Sequence, residues 1–199
     1  MARPSNTLER RRQIASGLIK VMAKRGYDGA SIADVASAAR LTPGLVHYHF
    51  KNKREILLAA LHELMQRHAA GLEQKLASAP HEPMKQIHAF LDFHLGLGAS
   101  ADPEALACWI LLSGEALRDT RVRQEFEKAL EALAGRLAKL IRDGAFRTDD
   151  PRAAASALLA TIHGYFVLAA TAPALIPRGS AARSARLMAE GLLSRRDKS

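Results

Sequence analysis

The stretch LTPGLVHYHFKNKREIL, residues 41–57, decides how this chain is read. It opens on Thr42-Pro43, a helix-start pair. A threonine oxygen can accept a first-turn N–H, and proline at the first helical position lacks only a donor that has no partner there. Four rings follow in succession, His47, Tyr48, His49 and Phe50, and then the cations Lys51, Lys53 and Arg54. Such a row admits a metal site, a core segment running into a solvated surface, or a surface that meets a polyanion. Helical spacing removes the first, because residues two apart point to different sides and His47 and His49 cannot share an ion. Residues four apart share a face, so Val46 and Phe50 point inward. Thr42, Pro43, Gly44, Leu45, His47 and Tyr48 are left facing out. His49 reads as a packing residue hydrogen-bonded within its domain.

Working outward, Ser31 with Asp34 three residues on is a capping-box variant that starts a short helix with Ile32, Val35 and Ala36 inward. Arg40-Leu41 form the turn before Thr42. Upstream, Thr7 is placed to cap a first helix whose apolar positions Ile14, Leu18, Val21 and Met22 follow helical periodicity, with Gly26 as its stop. A long helix followed by two short ones, the latter joined by about four residues, has the spacing of a helix-turn-helix. Downstream, a helix is expected over about 53–78, ended by Pro80 and Pro83, and further helices over about 84–97, 103–118, 121–142, 151–172 and 180–194. Gly96 and Gly98 mark one end and Asp102-Pro103 a start. Asp143-Gly144 mark a second end and Asp150-Pro151 a second start. Pro173 and Pro177 bracket a loop, and Ser180 is placed to cap the last helix. The expectation is an all-α protein of about nine helices, with a helix-turn-helix domain over 1–52 and a helical regulatory and dimerisation domain over 53–199.

The charge is uneven. Residues 1–54 hold eleven Lys/Arg against three acids, a net +8, whereas the other 145 residues hold 18 against 17. A segment so basic is expected to attract a polyanion. The single cysteine, Cys108, excludes an intrachain disulfide and fits a cytoplasmic protein. Lys20 and Lys24 interrupt the apolar run nearest the N-terminus, so no signal peptide is expected. Residues 153–177 carry no charged side chain and are long enough to span a membrane. Their alanines, with Ser156, Thr161, His163, Thr171 and two prolines, argue instead for a helix buried on most sides, as at a subunit interface. There is no Gly-rich phosphate loop, no His-Glu-x-x-His and no nucleophile elbow, so neither catalysis nor a metal or other cofactor is expected.

From Gly26-Tyr27 through Ser31-Ile32-Ala33-Asp34-Val35-Ala36 to residues 41–57, the chain resembles the DNA-binding domain of the TetR family of transcriptional regulators, over about residues 8–57. The run WILLSGEALRD, residues 109–119, resembles the ligand domains of betaine/choline-type members. The resemblance implies a homodimeric regulator, usually a repressor. Its third helix enters the major groove of double-stranded DNA, and its C-terminal domain binds a small-molecule effector that weakens DNA binding. Two positions depart from the family pattern. Arg40 stands where glycine is usual, which implies either a positive φ held by a side chain at a cost of about 1 kcal/mol or a different turn. His47 stands where tyrosine is usual.

On this reading the N-terminal residues of the recognition helix, Thr42, Pro43, Gly44 and Leu45, meet base edges. Thr42 and Leu45 can reach a thymine methyl, although Thr42 also serves as a cap and Leu45 suits half-burial equally. Gly44 either lets the backbone approach closely or only eases packing. None of the four makes a bidentate pair, so Arg40 is the nearby side chain able to read guanine. His47, Tyr48 and Lys53 are expected on phosphates, which fix register, and a phosphate favours the charged form of an imidazole beside it. Candidate effector contacts are Phe90, Phe93, His94, Trp109, Phe126 and His163. Core packing is the stronger reading for each Phe and an even one for His94 and Trp109. Dimerisation is assigned to the helices near 151–172 and 180–194, with a palindromic operator whose half-sites lie about 10 base pairs apart or a multiple of that. The competing readings are a helix-turn-helix protein controlled by a protein partner rather than a small molecule, and, more remotely, a small helical enzyme.

Overall fold

A computed structural model describes residues 4–96 and 103–193. The expected boundaries at Gly98, Asp102 and Ser194 lie outside them. Among the described residues there are nine α-helices: α1 Pro4–Arg25, α2 Ile32–Ala38, α3 Pro43–His49, α4 Lys53–Ala77, α5 Pro83–Leu95, α6 Pro103–Ala116, α7 Thr120–Asp143, α8 Pro151–Thr171 and α9 Ser180–Leu192. A 3-10 turn, Pro173–Leu175, lies between the last two.

The punctuation read from the sequence recurs, with two exceptions. Gly26, at φ 71°, ends α1, and Asp150 caps α8 by accepting the N–H groups of Arg152 and Ala153 at 2.9 Å. Thr7, however, lies inside α1, which starts at Pro4. Proline is at home in a first turn, so the start moves upstream. Ser180 is the first helical residue of α9 rather than its cap. That place is taken by Gly179 at φ 74°, without a capping side chain.

The chain packs as two compact units, Met1–His68 with Asp102–Glu127, and Ala69–Ala101 with Lys128–Ser199. α4 and α7 each contribute residues to both units. In the first unit α1 packs on α2, α3 and α6. Its Ile14, Leu18 and Met22 are buried together with Val35, Ala36, Val46 and Phe50, each large side chain contributing about 1.5–3 kcal/mol. Gly17 permits the close crossing of α1 and α2: a Cβ there would lie 2.8 Å from the Val35 carbonyl oxygen. Cys108 of α6 is buried and donates its thiol hydrogen to the Ile19 carbonyl.

In the second unit α5 packs on α9 and α8. Small residues Ala181, Ala185 and Ala189 bring α9 close, and α5 buries Ile87, Phe90, Leu91 and Leu95. A polar ladder crosses this contact, with His88 Nε2 3.1 Å from Glu190 and Arg186 Nη1 3.2 Å from Asp92. α8 is long and apolar enough to cross a membrane, with mean hydropathy 1.6, and 28% of its apolar window is buried. The single chain therefore does not bury this helix on most sides. It leaves Val167 and Leu168 of α8 exposed, together with Leu187, Met188 and Leu192 of α9.

Candidate nucleic-acid interface

The helix-turn-helix is built from local hydrogen bonds. Ser31 Oγ accepts the Asp34 N–H at 3.0 Å, and Asp34 Oδ2 accepts the Ser31 N–H at 3.2 Å, completing the capping box. The Ser31 hydroxyl also donates to Asp34 Oδ2 at 2.5 Å, and this bond, then the Ser31 N–H and Arg25 at 2.8 Å, hold the Asp34 carboxyl below its ordinary pKa. After α2 the chain reverses tightly. Arg40 N–H donates to Ser37 O at 3.0 Å and Leu41 N–H to Ala36 O at 2.8 Å. Arg40 takes the left-handed conformation, φ 55°, the first of the two outcomes open for this turn.

α3 begins at Thr42, whose extended backbone and Oγ1, accepting the Leu45 N–H at 3.3 Å, form the cap, with Pro43 in the first turn. Val46 and Phe50 point inward and are buried. Thr42, Pro43, Gly44 and His47 are exposed, Leu45 is half-buried and Tyr48 is 81% exposed. A Cβ built on Gly44 meets no atom within 4 Å, so packing does not require glycine there. The absent side chain leaves bare backbone at the outer edge. The structure thus brings Arg40, Thr42, Pro43, Gly44, Leu45, His47 and Tyr48 onto one short helix and the turn before it.

Lys53 differs from the others. Its Nζ donates to the Tyr27 carbonyl at 2.6 Å, lies 3.4 Å from the Asp28 carbonyl and sits 4.3 Å from the Tyr27 ring centroid. The side chain ties the start of α4 to the α1–α2 turn. An ammonium has three donors, so two carbonyls leave one for a phosphate. Nearby, Arg54 pairs with Asp119 at 3.3 Å and Arg118 with Asp28 at 3.7 Å. His49 is half-buried with its ring edge-on to Tyr48, centroids 5.1 Å apart. The hydrogen bond here is accepted by its backbone carbonyl, from Arg11. Burial first, then the charges of Arg11 and Arg10, push its imidazole toward the neutral form. Sequence reasoning missed Arg11, Gln13 and Tyr27. Gln13 Nε2 donates to the Ala39 carbonyl at 2.7 Å, and Arg11 Cζ sits 4.0 Å over the Phe50 ring. These partners lie 26 to 39 positions apart, and no local pattern announces them.

The effector candidates divide between the units. In the first, Trp109 and Phe126 meet with centroids 4.7 Å apart and planes tilted by 42°, and Phe126 is buried. In the second, Phe90 is fully buried, and its ring lies 4.4 Å from that of His94, which also meets Phe93 at 5.4 Å. A hydrogen bond of 2.7 Å joins His94 Nδ1 to the Phe90 carbonyl, and one of 3.0 Å joins His163 Nδ1 to the Leu159 carbonyl. Within the first unit an open cleft of about 350 Å³ runs between α1 and α4, lined by Leu8, Ala15, Leu58 and Ala59 with Arg12 and Glu63 among its charged residues. None of the six effector candidates lines it. Among the described residues no group of three or more His, Cys, Asp or Glu side chains is placed to hold a metal ion.

Residues 14–60 match the family of bacterial regulatory proteins of the tetR type, and residues 83–194 match the BetI-type transcriptional repressor C-terminal family. The chain is 30% identical over 103 residues to the HTH-type transcriptional regulator BetI of Brucella suis, covering 51% of this chain and 50% of that protein. The chain spans about half the length of the curated relatives it matches. The fold is similar to that of a TetR-family transcriptional regulator from Cytophaga hutchinsonii, with TM-score 0.83 and 19% identity over 98% of this chain and 100% of that one. It is also similar to that of a transcriptional regulator from Saccharomonospora viridis solved in complex with choline, with TM-score 0.77 and 23% identity over 92% and 95%. At these identities the two structures speak for the fold alone. The family of regulators to which the matches point is one of transcription factors rather than enzymes. With its capped helix-turn-helix at one end and a C-terminal family match covering more than half its length, the chain belongs to the TetR family, with a BetI-type C-terminal region.

Proposed function

We propose that this protein is a dimeric, effector-released repressor that binds a palindromic operator through α3. The observation that carries the reading is the reading edge itself. Thr42, Pro43 and Gly44 stand exposed at the start of a two-turn helix whose opposite face is buried through Val46 and Phe50. The segment around that edge holds nearly all the chain's excess positive charge. Base contacts then fall to Arg40, Thr42, Pro43, Gly44 and Leu45, and phosphate contacts to His47, Tyr48 and the remaining donor of Lys53. The uncovered apolar faces of α8 and α9 support dimerisation through those helices, which sets two reading heads on successive major grooves. The protein works where its operator is, in the cytoplasm.

The BetI-type match, and choline in the Saccharomonospora viridis regulator, make a small quaternary ammonium the first effector to test. On α5, Asp92 offers such a cation one carboxylate oxygen: Oδ1 is buried without a hydrogen-bond partner among the described residues, while Oδ2 pairs with Arg186 at 3.2 Å. The decisive experiment is selection of duplexes from a random pool by the purified protein, followed by choline titration of the bound complex. Enrichment of a palindrome establishes the operator. Failure to enrich any sequence rejects the reading. Release by a metabolite of another class redirects only the effector, and release by a protein alone favours the reading without a small-molecule switch.

A further inference from the structure

We propose that Arg11, on α1, is a positioning residue for sequence readout: it fixes the C-terminal end of α3 and thereby the tilt of the reading edge at the other end. The inference rests on the DNA-binding reading above. α3 has seven residues, well below the dozen or so at which an isolated helix holds its own shape, so its orientation is set by what grips it. Its last carbonyls, beyond that of Val46, which accepts the Phe50 N–H at 2.9 Å, have no intrahelical donors. One of them, that of His49, accepts Nη1–H of Arg11, whose guanidinium also lies 4.0 Å over the buried Phe50 ring. A cation there is favoured by the helix dipole, and a planar fork can stack and donate at once where an ammonium cannot. Two residues along α1, Gln13 donates to Ala39 O at 2.7 Å, at the end of α2. A single turn of α1, anchored in the core by buried Ile14 and Leu18, therefore holds the ends of both helices of the motif.

The lever is short but sufficient. Seven residues rise about 10 Å, so a tilt of about 10° about the gripped end moves the reading end by nearly 2 Å. A functional constellation tolerates about 0.5 Å. The charge of Arg11 is directed inward, onto a ring and a carbonyl, so its loss should alter which sequence is bound rather than how many counterions binding releases.

The test compares wild type, Arg11→Gln and Arg11→Lys for affinity to the selected palindrome and to a scrambled duplex, across a salt series, with helical content checked by circular dichroism. Lysine keeps the charge without the fork and carries the test if the glutamine variant does not fold. The expected result is a loss of preference for the palindrome over the scrambled duplex of about tenfold, the scale of one hydrogen bond to a charged group, with the salt slope unchanged. A slope reduced by about one with the preference intact would make Arg11 a phosphate contact and overturn the inference. Unchanged preference in a folded variant overturns it too. Failure of the wild type to select any duplex is a different result, one that rejects the DNA-binding reading on which the inference stands.

Discussion

Replacing Arg40 separates backbone strain from base reading. Arg40 sits at φ 55°, a conformation that costs a residue bearing Cβ about 1–2 kcal/mol. Arg40→Ala keeps that cost and removes the guanidinium; Arg40→Gly removes both. Glycine loses about 0.5–1 kcal/mol of its advantage to the greater freedom of the unfolded chain. The glycine variant should therefore be more stable than the alanine variant by about 0.5–1 kcal/mol, or about 2 °C in melting temperature for a chain of this size. If the guanidinium pairs with guanine, both variants should lose the same 1–3 kcal/mol on a site containing that guanine, roughly 5- to 150-fold in Kd. Thermal unfolding and fluorescence anisotropy on the selected duplex read the two effects separately. Equal melting of the two variants would refute the strain argument. Wild-type affinity in both would remove Arg40 from the reading surface.

Gly17→Ala should destabilise by about 1–3 kcal/mol in urea unfolding, despite the better helix former, because its Cβ meets the Val35 carbonyl at 2.8 Å; an unchanged midpoint would mean that the α1–α2 crossing yields freely. Gly44→Ala should be neutral or stabilising by up to about 1 kcal/mol, since its surroundings are open, yet weaken duplex binding; retained affinity would show that the backbone there does not approach DNA. The Asp34 carboxyl has its folded pKa depressed by Ser31, so its contribution is present above its unfolded value and is lost as pH falls through the folded one. Asp34→Asn should accordingly be less stable at neutral pH and converge with wild type in acid, below about pH 4; a constant gap in a pH series of denaturation would contradict the assignment. Leu187→Glu combined with Met188→Glu, on the exposed face of α9, should give a monomer by sedimentation velocity; an intact dimer would place the interface elsewhere.

The helix-turn-helix was legible because its determinants are local. Ser31 with Asp34, Thr42 with Leu45, and Val46 with Phe50 are three or four residues apart, the distances over which caps and helix faces operate. The outward set from Thr42 to Tyr48 follows from the same spacing. What escaped were contacts between distant segments: Arg11 with His49 38 positions on, Gln13 with Ala39 26 on, and Lys53 with Tyr27 26 back. A lysine at a helix start reads as a phosphate ligand, and no local pattern announces the carbonyl that the fold sets 2.6 Å from its amine. Helix starts were displaced where proline or left-handed glycine competes with a hydroxyl, at Thr7 and Ser180.

Composition and short-range pattern by themselves determined an all-helical chain, a basic N-terminal quarter and a capped two-helix motif with a defined outer edge, because helix propensity, capping and charge act within a turn or two. Tertiary structure alone decided which cations are directed inward, that Trp109 meets Phe126, and how little of α8 one chain covers. These outcomes depend on where helices far apart in sequence come together, and no local spacing encodes that.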